Sequence, residues 1–231
     1  MRQATVIAGS ASGGDGALFI SPLDKMDMQM RLFQPDANGA EMCDKGIRCL
    51  AKYACDNGYA KTKSFSVETL AGVLTIRSEY DSNGGFFAVI DMGVSVYDST
   101  AIPAVEARDF VSEIEGMMVY AVNTGVPHAG VFVAEVESVD IDVTAPKIRH
   151  NGLFPKGTNV NFVQVTAPST IMIQTFERSV ESKTLSCGTG SKVSGDVIHV
   201  DTAGGPLDIE VGGRAMMTEA AEMVFVGKLP F

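Results

Sequence analysis

Residues 68–76 read ETLAGVLTI and residues 201–209 read DTAGGPLDI. Each copy lies downstream of a cysteine followed closely by glycine: MCDKG around Cys43 and SCGTG around Cys187. An internal echo of this size implies two copies of one supersecondary unit, each presenting its cysteine at an equivalent turn. The expected architecture is therefore two-lobed, with pseudo-twofold logic.

The two copies differ in length. From Cys43 to Thr69 is 26 residues, and from Cys187 to Thr202 is 15. The difference corresponds to about three helical turns. After the first cysteine comes the clearest helical pattern in the chain, GIRCLAKYACDNG at 46–58. Ile47, Leu50, Ala51 and Ala54 recur at helical spacing, and Asn57-Gly58 makes a stop signal. After Cys187 only SKVSGDV is present, with a glycine and two valines, so the second copy is expected to lack that helix or keep one turn of it.

Elsewhere the chain reads as strands. ATVIAG, ALFISP, MQMRLF, SFSVETL, VLTIRSEY and FFAVIDMG run apolar or alternate in the first half. MVYAVNTG, AGVFVAEV, TNVNFVQV, TIMIQTFER, DVIHVDTA, LDIEVGG and EMVFVGKL do so in the second. Met26, Met28 and Met30 alternate at strand spacing and are read as one inward face. Lobes are set at 1–115, carrying Cys43, and 116–231, carrying Cys187, with the last strand free to cross back.

Composition narrows the function. The net charge of −10, with Lys and Arg scattered, argues against nucleic acid and anionic membranes as partners. No apolar run approaches a membrane span, and the start lacks the pattern of a signal peptide. The expectation is a soluble, cytoplasmic protein whose four cysteines are reduced thiols. Cys43, Cys49 and Cys55 do not have zinc-ligand spacing, so no metal is assigned. Cys49 and Cys55 are read as packed or helix-surface thiols.

A cysteine just before a helix N-terminus has its thiolate favoured by the helix dipole and the unpaired N–H groups. Those N–H groups also bind carboxylate. Two such turns facing each other would hold an amino acid between two sulfurs. One thiolate would take the α-proton while the opposite thiol returns one, with no cofactor.

The segment MRLFQPDANGAEMCDKGIRCLAKY at 30–53 resembles diaminopimelate epimerase. GGDGALFI, NTGVPHAGVFV, GTNVNFVQV, TFERSVESKTLSCGTG and GGPLDIEVGG extend the resemblance, in order, across residues 13–229. The resemblance implies an α+β fold of two pseudo-symmetric lobes. Each is a curved, mostly antiparallel sheet around a central helix, with the active site in the cleft and the second helix here missing or shortened. It implies interconversion of LL- and meso-diaminopimelate for lysine and peptidoglycan synthesis, without pyridoxal phosphate or metal. A homodimer is compatible with it.

Carried over by position, Cys43 and Cys187 are the acid/base thiols. Asn159, Glu177 and Arg178 would hold the distal amino and carboxyl groups, and Gly188 and Thr189 would offer N–H groups to the reacting carboxylate. Gln34 and Val126 each stand where the family has asparagine, and Asp44-Lys45 where it has Gly-Asn. Gln34, Asp44 and Lys45 remain substrate-contacting positions; a carboxylate at 44 repels a substrate carboxylate, and Lys45 offsets it. The family's opening strand and GNDF element have no counterpart before Gly13. A catalytically impaired binding or structural descendant of the fold, natural or engineered, is the alternative reading.

The remaining features take structural readings. The glycine-rich stretch at 9–16 lacks GK[ST] and reads as a tight turn bordering the cleft. His128 reads as a structural histidine, and His150 and His199 receive no role.

Overall fold

The computed structural model describes residues 4–6, 17–23, 26–33, 39–40, 42–94, 111–123, 127–178, 181–184, 197–212 and 214–224. The chain divides into two compact units: residues 1–91 with 218–231, and residues 92–217. The sequence reading set this division at 115/116. Cys43 falls in the first unit.

The first unit contains β1 (Ala4–Val6), β2 (Ala17–Pro22), β3 (Met28–Phe33), β4 (Gly39–Ala40), α1 (Asp44–Asp56), β5 (Ser64–Thr69), β6 (Gly72–Tyr80) and β7 (Phe86–Asp91). The sheet order is β1-β2-β3-β5-β6-β7, antiparallel except for β3 beside β5. A parallel pair needs a crossover, and α1 supplies it. Alternation in the sequence becomes alternation in burial: Met28 and Met30 are buried, while Met26 lies in the bend before β3 and is partly exposed.

The expected helix forms two residues earlier than its periodicity suggested and ends at Asp56, with Asn57 as C-cap and Gly58 at φ 68°. Ile47, Leu50, Ala51 and Ala54 are all buried. Burying a side chain such as Ile47 or Leu50 contributes roughly 1.5–3 kcal/mol, which ties the helix to the sheet far more strongly than its exposed Lys52–Asp56 pair.

The second unit contains β8 (Val111–Ile114), β9 (Met117–Asn123), β10 (Pro127–Phe132), α2 (Ile141–Arg149), β11 (Asn159–Ala167), β12 (Thr170–Glu177), β13 (Ser182–Thr184), β14 (Val197–Asp201) and β15 (Leu207–Val211). The order is β15-β14-β12-β11-β10-β9-β8, with β13 beside β12. Two neighbouring pairs are parallel, β10 with β11 and β12 with β14. The last strand, β16 (Ala215–Ala220), begins in this unit and ends in the first.

Several elements differ from the sequence reading. The last strand among the described residues is AMMTEA, whereas Glu222–Val224 of the expected EMVFVGKL segment carry no strand and the rest of that segment lies outside the described residues. β8 was not anticipated; it is turned into β9 by Glu115-Gly116, both at positive φ, the geometry that suits two-residue hairpins. α2 was not anticipated either. It buries Ile141, Ala145 and Ile148 at i, i+4 and i+7 against Phe162 and Phe176 of the sheet. Pro146, inside the helix, breaks the usual pattern. The expected loss of a helix after Cys187 concerns residues 185–196, outside those described.

The echo that opened the sequence reading has a physical counterpart. Thr69 Oγ1 accepts the Ala71 N–H at 3.2 Å and donates to the Gly72 carbonyl at 2.8 Å. Thr202 Oγ1 accepts the Gly204 N–H at 3.2 Å and donates to the Gly205 carbonyl at 2.7 Å. Gly72 and Gly205 sit at φ 126° and 112°, where other residues are strained. Each turn closes an antiparallel hairpin whose first strand runs parallel to an earlier one, β5 to β3 and β14 to β12.

Candidate active site

Cys43 is the N-cap residue of α1, with extended backbone at φ −146° and ψ 121°. The first bond inside the helix runs from the Ile47 N–H to the Cys43 carbonyl at 2.8 Å. The earlier N–H groups of the first turn therefore point out of the helix, where its positive end favours anions. The Cys43 side chain makes no capping hydrogen bond and is partly exposed. Gly46 keeps the approach tight: a Cβ there would lie 3.2 Å from Leu18 Cδ2 and 3.4 Å from Cys43 Cβ.

Cys49 and Cys55 behave differently from a helix-start thiol. Both lie on the body of α1, and desolvation is the largest influence pushing each thiol above its ordinary value. A thiol held protonated is a poor base. This agrees with reading them as packed or helix-surface thiols.

Asp44 and Lys45 occupy the first turn of α1, Asp44 buried and Lys45 partly exposed. Near them lies a group that sequence reasoning missed. Glu219, buried on β16, forms an ion pair with Arg48 Nη1, while Arg48 also donates to the Ala220 carbonyl at 2.7 Å. Neither Glu219 carboxylate oxygen has an aligned hydrogen bond among the described residues. Burial pushes the Glu219 carboxyl up to about 7, Arg48 opposes the shift, Asp44 adds to it and Lys45 opposes it. The helix that carries Cys43 is thus anchored through a buried, nearly neutral-range acid. Only the oddity of Glu inside the apolar-alternating AMMTEA pattern could have signalled it.

In the second unit, three of the assigned positions converge. Asn159 opens β11 and Glu177 ends β12, and the antiparallel register that pairs Val160 with Phe176 sets them side by side. Asn159 Oδ1 accepts the Arg178 N–H at 3.0 Å. Glu177 Oε1 accepts the Thr184 hydroxyl at 2.9 Å, which ties this corner to β13. Asn159 is buried, whereas Glu177 and Arg178 are partly exposed. Gln34, Cys187, Gly188 and Thr189 lie outside the described residues, as do Val126 and the glycine-rich stretch at 9–16.

His128 is buried, with its Nδ1 accepting from Asn161 Nδ2 at 3.0 Å; Asn161 Oδ1 in turn accepts the Thr175 hydroxyl at 2.9 Å. That buried network spans three strands and supports the structural reading of His128. His199 pairs with Asp208 directly across β14 and β15, and His150 with Glu181, both on the surface. No cluster of three or more metal-ligating side chains occurs among the described residues, and no described helix is long and apolar enough to cross a membrane.

A family model described as diaminopimelate epimerase matches residues 5–97 and 120–224. Over 218 residues the chain is 46% identical to the diaminopimelate epimerase of Methanothrix thermoacetophila, covering 90% of this chain and 76% of that protein. It is 42% identical over 229 residues to that of Methanocella arvoryzae, covering 94% and 81%. Among solved structures, a probable proline racemase from Agrobacterium radiobacter K84 superposes with a TM-score of 0.64 at 16% identity, over 92% of this chain and 75% of that one. A phenazine biosynthesis protein of the PhzF family from Bacillus anthracis gives 0.62 at 13%, over 90% and 81%. These distant structures speak for the fold: α+β, with large mostly antiparallel sheets and few helices. With the family model matching most of the chain and relatives at 42–46% identity, the chain belongs to the diaminopimelate epimerase family.

Proposed function

We propose that this protein interconverts LL- and meso-diaminopimelate, with Cys43 and Cys187 as its two acid/base thiols and no cofactor. The observation that carries the reading is Cys43 as N-cap of α1, in a chain matching the diaminopimelate epimerase family over most of its length. A thiolate there removes the α-proton; the electron pair is left on the α-carbon, conjugated with its carboxylate. A thiol on the opposite face delivers a proton to that carbon, and the configuration inverts. The enzyme ends the turnover with its two protonation states exchanged.

Helix-start N–H groups around Asp44 and Lys45 and the backbone of Gly188 and Thr189 serve the reacting carboxylate. Developing charge on that group is stabilised by fixed dipoles, which need no reorganisation during the reaction. Asn159, Glu177 and Arg178 hold the distal amino and carboxyl groups, Glu177 against an ammonium and Arg178 against a carboxylate. Gln34 completes the substrate contacts. An aqueous, cytoplasmic setting and a small amino-acid partner follow from the same reading.

The test is conversion of LL-diaminopimelate to the meso form by reduced protein, followed by chiral chromatography in the presence of a chelator. Conversion is expected from the unaltered chain and should fall at least about a thousandfold in Cys43→Ala and Cys187→Ala. A folded, reduced sample that converts nothing would instead favour a binding descendant of the fold.

A further inference from the structure

The corner formed by Glu177 and Arg178 is held by a side chain that no motif brought forward. Arg149, the last residue of α2, reaches out of the helix with its side chain only 15% exposed. Its Nε and Nη2 donate to Glu181 Oε1 at 3.1 and 2.7 Å, and Nη2 also donates to the Arg178 carbonyl at 3.3 Å. Glu181 N–H closes back on the Glu177 carbonyl at 2.8 Å, with Glu181 at φ 53°, a conformation that residues other than glycine seldom adopt. Such a conformation persists where surrounding contacts enforce it. Here the contacts are Arg149 and, on the other carboxylate oxygen, His150 at 3.3 Å.

Arg178 is consequently gripped on both sides of its own backbone. Asn159 takes its N–H and Arg149 takes its carbonyl. The path of the Arg149 side chain is itself built in. Gly157 sits at φ 67°, and a Cβ at that position would overlap the Arg149 guanidinium. A glycine in the turn before β11 is therefore what lets the end of α2 reach the end of β12.

We propose that Arg149 is a positioning residue for substrate recognition: it fixes the Glu177–Glu181 turn so that Glu177 and Arg178 meet the distal end of the substrate. This rests on the reading given under Proposed function, in which those two residues bind that end. A planar fork with two donors on one carboxylate oxygen and a third contact to a carbonyl is a task for arginine, which lysine's single ammonium cannot reproduce.

The test is steady-state kinetics of Arg149→Gln, Arg149→Lys and Glu181→Gln with diaminopimelate, with circular dichroism to establish folding. Distal recognition lost while the chemistry is kept should appear as a KM raised about tenfold in Arg149→Gln, with kcat within about threefold of the unaltered protein. Arg149→Lys should fall between the two, and Glu181→Gln should shift KM in the same direction. Should Arg149→Gln fail to fold, the other two variants carry the comparison. Any other pattern, such as an unmoved KM or a fall in kcat alone as expected from lost folded protein, overturns the inference. An unaltered protein with no epimerase activity brings down the function reading as well; an active one with unmoved KM in the variants brings down this inference alone.

Discussion

The two units repeat a hairpin, and their described helices lie in different crossovers. In the first, the crossover from β3 to the parallel strand β5 contains α1, which both fills the core and presents Cys43 at its start. In the second, the corresponding crossover, from β12 to β14, is the one that carries Cys187, while the described helix that fills the core lies in another crossover, from β10 to β11. The described helix of the first unit starts at its cysteine, whereas the described helix of the second lies in a different crossover from the one that includes Cys187 in the sequence. Their helix starts differ accordingly. α2 is plugged by Asp140, whose carboxylate accepts the Val143 N–H at 3.2 Å, while the Cys43 side chain does not cap α1. A side-chain cap satisfies one of the N–H groups that a helix start leaves unbonded within the helix.

The sharpest way to break this comparison is to empty the two cores in turn. Ile47→Ala in α1 and Ile141→Ala in α2 should each destabilise the protein by about 2–4 kcal/mol, read from denaturant midpoints. Only Ile47→Ala should also lower kcat of the folded protein, by about tenfold, because it shifts the helix that carries Cys43. Equal kinetic damage from both would mean that α2 is as much a part of the chemistry as α1.

Glu219 offers a test confined to the first unit. Its carboxyl is raised to about 7 in the folded protein from an ordinary value of 4.5. Between those values the folded state holds a proton that the unfolded state has lost. Its contribution to stability is thus full below the ordinary value and is lost as pH rises through about 7. Glu219→Gln should remove that dependence and gain stability relative to the parent between pH 5 and 8, by about 1–3 kcal/mol. The loss of Arg48's charge partner works against this gain. Melting temperatures across that range decide it; parallel pH profiles for parent and variant would show the acid to be ionised throughout.

The smaller effects test the repeat itself. Thr69→Val and Thr202→Val each remove one hydroxyl that bonds both a turn N–H and a glycine carbonyl, and each should cost about 1 kcal/mol. Because the turns match bond for bond, the two costs should agree within about 0.5 kcal/mol and add in the double variant. Asp140→Ala should cost about 1 kcal/mol through the lost cap of α2 and leave kcat unchanged. Denaturant titration and initial rates on the same samples read both quantities.

The sequence carried much of this, for identifiable physical reasons. The Thr-Gly turns were legible because a hydroxyl-closed hairpin with glycine at positive φ admits few residues, so both copies kept them. α1 was legible because four apolar residues and an Asn-Gly stop coincide. α2 escaped because it is short, spends its apolar positions on only Ile141, Ala145 and Ile148, and contains Pro146, a residue that argues for a loop. Its Asp140 cap and the Asn151-Gly152 stop were the signals available. β16 escaped because Glu219 interrupts its apolar face, and its ion-pair partner Arg48 lies more than 170 positions away in the chain. Asn159, Glu177 and Arg178 were assigned by resemblance, yet their convergence depends on strand register, which no local pattern states. Arg149 was invisible for the same reason: its partners lie 29 and 32 residues further on.

Of what is proposed above, the sharing of a single turnover by two thiols, Cys43 and Cys187, is the most exposed to test. It is tested most directly by running LL-diaminopimelate in heavy water and following both isomers by NMR from the first percent of conversion. The account predicts that meso product carries solvent deuterium at the inverted carbon from the outset, while the remaining LL substrate keeps its hydrogen. Product that retains the substrate's own hydrogen, or LL substrate that takes up deuterium ahead of inversion, would place removal and return on one group and contradict it.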